Sequence, residues 1–260
     1  MRTEALATRS KIHPLTLPQV RLDRWFFSFA GVAMLACVLV GFEQFYFHGR
    51  AYPNREITPP IRSLVIAHGL TMAAWILLGI LQPLLVATGN RKIHRKIGVV
   101  GACFAACVVA IGIPVGIQGM KHMPSEATIM GFTPAQFLAV PLLSMLAFGV
   151  LVAVAVWQRT RPAIHRSMMT AATLCTLSAA LNRIDTLNNL YVGTVFESLF
   201  GPFFMAVVLA GVLWGLRCVL VRSVDRWMGV GFVIVATVSV AVTAIAKTSA
   251  WESFATVLMR

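Results

Sequence analysis

Seven stretches of the chain run without a single Asp, Glu, Lys or Arg: residues 25 to 42, 63 to 90, 97 to 120, 127 to 158, 167 to 182, 198 to 216 and 227 to 246. Crossing the hydrocarbon core of a bilayer takes about 20 helical residues, with a range of about 17 to 25, so each stretch predicts a transmembrane helix. The second and fourth are long enough to include loop or to tilt. The fifth is short, and is expected to extend through His165 and Arg166 at one end and to Arg183 at the other, where a long side chain can reach the interface. Pro83, Pro114, Pro141 and Pro202 fall inside spans two, three, four and six, where each would remove a backbone hydrogen bond and favour a kink.

The composition agrees with this pattern. Of 260 residues 58% are hydrophobic and 12% charged, against roughly 25% charged in an ordinary soluble domain. That excludes a soluble enzyme, a nucleic-acid-binding domain and a disordered tail. The net charge of +13 is explained by its placement: 15 of the 22 Lys and Arg precede span one or lie between spans two and three, four and five, and six and seven. The opposite side carries the other seven with six of the nine acids. Cytoplasmic flanks retain Lys and Arg during insertion, so the N-terminus is expected inside and the C-terminus outside. Residues 1 to 24 predict a basic cytoplasmic arm, disordered and without a cleavage site; residues 25 to 250 the all-α membrane domain; residues 251 to 260 a short outer tail. The five cysteines form no ligand spacing.

Candidate chemistry comes from the few polar groups. Arg91-Lys-Ile-His94-Arg95 precedes span three and Arg161-Pro-Ala-Ile-His165-Arg166 precedes span five. Both place Ile-His-Arg at the inner mouth of an outgoing helix, which suggests a parallel repeat of two hairpins, spans two-three and four-five. Two imidazoles at equal depth are suited to axial ligation of a haem iron, with Arg91, Arg95, Arg161 and Arg166 as partners for propionates; anionic lipid headgroups are the competing use of the same cations. His68 lies about six residues, or roughly 9 Å, inside span two. Thr71, Trp75, Gly79 and Gln82 continue a polar and small-residue stripe along that helix, suited to helix packing or to a ligand or proton-relay site. Glu43, Gln44 and His48 at the end of span one, Asn182, Arg183 and Asp185 at the end of span five and Glu197 at the start of span six are candidates for an outer polar vestibule with His68. The hydroxyls of span five, Ser167, Thr170, Thr173, Thr176 and Ser178, place it at the bundle centre.

The run from His68-Gly69 through Trp75, Gln82, Gly89-Asn90-Arg91 and His94-Arg95 to Gly98 resembles the signature of a group of uncharacterised bacterial multipass inner-membrane proteins. Phe47-His48-Gly49-Arg50 and Ile164-His165-Arg166 resemble it too, and the likeness covers roughly residues 45 to 185. More remotely, His94-Arg95-Lys96-Ile97-Gly98 is similar to a His-Arg-x-x-Gly pattern of cytochrome b type bundles, a resemblance that implies haem b. The chain departs from those cytochromes in giving His68 no histidine partner on another span. Two classes of function are therefore expected: a haem-binding or quinone-linked redox protein using His94 with His165, or His68 with a partner not identified in the sequence, or a transporter or sensor of a small solute using the kinked helices and the outer cluster. No metalloprotease, nucleophile-elbow or phosphate-loop motif is present.

Overall fold

The computed structural model describes residues 17–124 and 126–260, with side chains described from Trp25 onward. The first sixteen residues of the expected basic arm lie outside the described residues. In chain order the elements are α1 (Leu17–Gly41), α2 (Glu43–His48), a hairpin of β1 (Arg50–Ala51) and β2 (Arg55–Glu56), α3 (Arg62–Ala87), α4 (Arg91–Lys121), α5 (Pro134–Phe137), α6 (Ala139–Trp157), α7 (Pro162–Leu181), α8 (Asp185–Asn188), α9 (Val195–Phe200), α10 (Phe204–Val221), α11 (Arg226–Ala246) and α12 (Ser249–Leu258).

Among the described residues, five helical segments are long and apolar enough to cross a membrane: Arg62–Ala87, Arg91–Lys121, Pro134–Trp157, Val195–Val221 and Arg226–Ala246. Helices suit such sequences because they satisfy every backbone polar group internally, which lipid cannot do. Their outward faces carry exposed large apolar side chains, among them Leu70, Leu77, Val99, Val150, Val212 and Val233, the surface expected against acyl chains and not against water. The apolar part of α1, Trp25–Gly41, is shorter.

The helices depart from the uncharged stretches where local chemistry intervenes. α4 begins at Arg91, before the stretch that starts at residue 97, because its basic first turns are exposed. The stretch 127 to 158 contains a loop, then one turn of α5 closed by a capping box between Thr133 and Gln136, then α6. The sixth stretch is broken at Gly201, whose φ of +52° suits glycine; a 3-10 turn, Gly201–Phe203, separates α9 from α10. Pro83 and Pro114 sit inside helices, whereas Pro141 is in the first turn of α6 and Pro202 in the 3-10 turn, where no helical hydrogen bond is lost. Residues 251 to 260 continue α12, whose Trp251 Nε1 donates to the Ala135 carbonyl at 3.0 Å and whose Ala255 is fully buried.

α7 occupies the centre, packed on α1, α6, α10 and α11. Its Ser167, Thr170, Thr173, Thr176 and Ser178 are all buried, and the threonine hydroxyls turn back on their own helix, to the carbonyls of Arg166, Met169 and Thr173. Trp75, 7% exposed, ties α3 to this centre: its Nε1 donates to Thr173 Oγ1 at 3.2 Å and its ring meets Phe148 of α6 edge-on at 4.8 Å. The long helices bring the α3–α4, α6–α7 and α10–α11 connections to one end, called here the basic end, where His94 meets His165 and Arg166 meets Asp225. At the other end Tyr52 meets Asp185, Lys121 meets the Arg260 carbonyl, and Lys247 meets the Ser198 carbonyl.

Candidate functional site

At the basic end the structure brings His94 and His165 together, with ring centres 6.4 Å apart and ring planes perpendicular. Each ring is positioned by the same device. His165 Nδ1 lies 2.8 Å from the Ala155 carbonyl oxygen, in the last turn of α6, where carbonyls lack helical partners. Since a carbonyl only accepts, Nδ1 carries the proton and Nε2 is left with its lone pair. His94 Nδ1 lies 3.3 Å from the Gln82 carbonyl oxygen on the preceding helix. The Gln82 amide reaches into the first turns of α4: in the orientation that satisfies both ends, its nitrogen donates to the His94 carbonyl at 3.1 Å and its oxygen accepts from the Gly98 N–H at 3.3 Å. That nitrogen also stands 2.5 Å from His94 Nδ1. The His94 ring therefore has two states, one with its proton on Nδ1 towards the Gln82 carbonyl, the other with Nδ1 accepting from the amide. Only the first opens Nε2 to a metal. The matching anchors of His94 and His165 give the hairpins α3–α4 and α6–α7 a structural likeness beyond their shared Ile-His-Arg.

Of the four arginines expected beside these rings, Arg91, Arg95 and Arg161 are exposed at this end, while Arg166 turns away to a buried ion cluster. There Asp225 Oδ2 accepts from Arg217 Nε at 3.1 Å and lies 3.7 Å from Arg166 Nη2. Arg217 is 2% exposed, with its guanidinium 5.4 Å from the rings of both Phe26 and Phe27, and Arg166 lies 5.0 Å over Phe27. The other carboxylate oxygen caps α11 by accepting from the Met228 N–H, and Trp214 Nε1 donates to the Asp225 carbonyl. One carboxylate thus joins α1, α7, α10 and α11. Sequence reasoning gave Arg166 to propionates or lipid headgroups and counted Arg217 only as interfacial charge. The available signal was Asp225 itself, the one acid in the loops of the basic side beyond the N-terminal arm.

At the opposite end the expected vestibule assembles only in part. Gln44 Oε1 accepts from the Asn54 N–H at 2.5 Å, and Asp185 Oδ1 accepts from the Tyr52 hydroxyl at 2.6 Å, so the β-hairpin bridges α2 to the turn after α7. Arg183 donates to the Ala179 carbonyl and lies 4.5 Å over the Phe42 ring. Glu43 and His48 are exposed on α2. The Asn182 carbonyl accepts from Asn188 Nδ2 at 2.8 Å, and Glu197 accepts from the Gly193 N–H at 2.6 Å. His68 sits deeper on α3, with Nδ1 buried and without a hydrogen-bond partner among the described residues.

The Asp185 carboxylate holds the Tyr52 hydroxyl above the ordinary tyrosine range, first through the hydrogen bond and then through burial and charge. Because the folded pKa is raised, the stabilisation is complete below about pH 10 and is lost as pH climbs through the raised value. In an alkaline absorbance titration, Tyr52→Phe is expected to delete a late phenolate step and Asp185→Asn to move that step towards pH 10. An unchanged step in Asp185→Asn would remove the hydrogen bond as its cause.

Fold and site together define a helical, multi-pass membrane protein with a histidine pair at its basic end and a buried ion cluster beside it. No protein-family model, curated protein or solved structure matches the chain.

Proposed function

We propose that the chain is a seven-span protein of a bacterial inner membrane, crossed by α1, α3, α4, α6, α7, α10 and α11 with the basic end in the cytoplasm, and that His94 and His165 hold a b-type haem there. The carrying observation is the ring pair: His94 and His165 come from like positions on two hairpins and stand with ring centres 6.4 Å apart. Among the described residues no group of three His, Cys, Asp or Glu is placed to hold a bare ion. Two histidines meet the need of a haem, whose porphyrin brings its own four nitrogens.

The bound haem would supply one-electron transfer, with a membrane quinone as a suitable partner. The chain's own residues do the rest. His165 presents Nε2 because Ala155 holds the proton on Nδ1, and that hydrogen bond raises the basicity of the ligand. His94 does the same when its proton faces the Gln82 carbonyl. Arg91, Arg95 and Arg161 are suited to pair propionates, or anionic lipid headgroups, at the cytoplasmic surface.

The test is the visible spectrum of the detergent-purified protein, expressed with haem supplied, before and after reduction. A sharp reduced α-band with a shifted Soret peak is expected. His94→Ala and His165→Ala should each lower haem occupancy more than tenfold while the protein still purifies as a folded monomeric or oligomeric species. A colourless wild-type protein, or full haem content in the double variant, overturns the proposal.

A further inference from the structure

His68 and Met145 meet at a place where α4 has no side chain. A Cβ built on Gly112 would lie 3.2 Å from His68 Cε1, 2.5 Å from Met145 Sδ and 3.0 Å from Met145 Cγ. The missing side chain is what lets an imidazole from α3 and a thioether from α6 converge on one point of α4. Met145 is 6% exposed, and His68 Nδ1 is shielded from solvent without a hydrogen-bond donor or acceptor opposite it. Met72 stands one turn beyond His68 on the same face of α3 and is partly buried against the core. A neutral imidazole that carries its proton on Nε2 keeps a lone pair on the buried, unpartnered Nδ1. From this convergence we infer that His68 and Met145, with Met72 as a third donor, form a site for a soft monovalent metal ion of the Cu(I) class.

The donor set selects the ion. Thioether sulfur is a soft ligand that favours Cu(I), and hard divalent ions require oxygen donors. The site lies towards the end opposite His94 and does not depend on the haem proposal.

The experiment is anaerobic competition between the detergent-purified protein and a chromogenic Cu(I) chelator. The rival ligands are the five cysteines, of which Cys103 and Cys107 are exposed one turn apart on α4. One tight Cu(I) per chain is expected in the wild type and in a variant with all five cysteines replaced by alanine. His68→Ala and the near-isosteric Met145→Leu should each weaken it at least tenfold, and Met72→Leu less. X-ray absorption at the copper edge of the wild type should show nitrogen and sulfur neighbours, with the sulfur contribution reduced in Met145→Leu; this reading holds even if the cysteine-free chain does not fold. No tight Cu(I), binding that vanishes with the cysteines, or binding and absorption unchanged in His68→Ala and Met145→Leu each overturns the inference.

Discussion

Replacing Gly41 by alanine is expected to destabilise the bundle by about 3 kcal/mol, at the upper end of the usual cost of overpacking. Gly41 is the last residue of α1, and there α1 runs backbone to backbone against the end of α7. An added methyl would overlap the Ala180 carbonyl, standing 2.6 Å from its carbon and 2.9 Å from the Ala180 Cα. Main-chain atoms cannot rotate aside as a methionine can, so relief requires moving one helix off the other. Small residues matter more in membranes than in water, because helices there associate through close packing without a hydrophobic drive. Displacing α1 at this point also shifts Phe42, the ring beneath the Arg183 guanidinium. Gly79→Ala is the control: a Cβ there meets nothing within 4 Å, and alanine favours a helix by about 1 kcal/mol. Reversible unfolding in mixed micelles, followed by tryptophan fluorescence, should separate the two variants. A Gly41→Ala effect below about 0.5 kcal/mol would show that the two backbones are not in contact.

The second large effect is expected from Asp225→Ala, again about 3 kcal/mol. Breaking one partner of a buried ion pair costs about 3 to 5 kcal/mol, and losing a helix N-cap about 1. The lower figure applies because Arg166 and Arg217 each keep further interactions. Asp225→Asn separates the contributions, since an asparagine oxygen can still accept from the Met228 N–H while the negative charge is gone. It should therefore retain the start of α11 and lose the attraction to Arg217. Equal stability of both variants and the wild type would mean that the cluster contributes nothing to the fold. Because Arg166 follows His165 on the first turns of α7, the same variants should also broaden any spectroscopic signal that depends on the His165 ring.

Much of this organisation was legible in the uncharged stretches, for a physical reason: a segment that faces lipid has nowhere to place a charge. The central position of α7 was legible from its hydroxyls, which need neighbouring helices around them. The meeting of His94 with His165 was legible as equal depth on two like hairpins, though not as a distance. Partners were not legible. Arg166 and Arg217 look like interfacial cations by position, and only the return of the chain at Asp225 draws them inward. The break at Gly201 and the contact at Gly41 follow from backbone geometry, on which hydrophobicity is silent. The same limit affected the vestibule: Asp185 was placed beside Arg183 by sequence proximity, whereas the hairpin carries Tyr52 to it from over a hundred residues away.

The hydroxyl-rich centre has a consequence for biogenesis. A segment like α7, which spends its side chains on neighbours and keeps little apolar surface for lipid, is a poor passenger for the insertion machinery on its own. If α7 crosses the bilayer as the seven-span proposal has it, its entry is helped by helices inserted earlier, α6 and α1 among them, and secured when α10 and α11 arrive. The chain is then assembled around its least lipophilic element, and a ribosome paused between α7 and α10 would leave that element half-sheltered, the stage at which quality-control proteases have most to recognise.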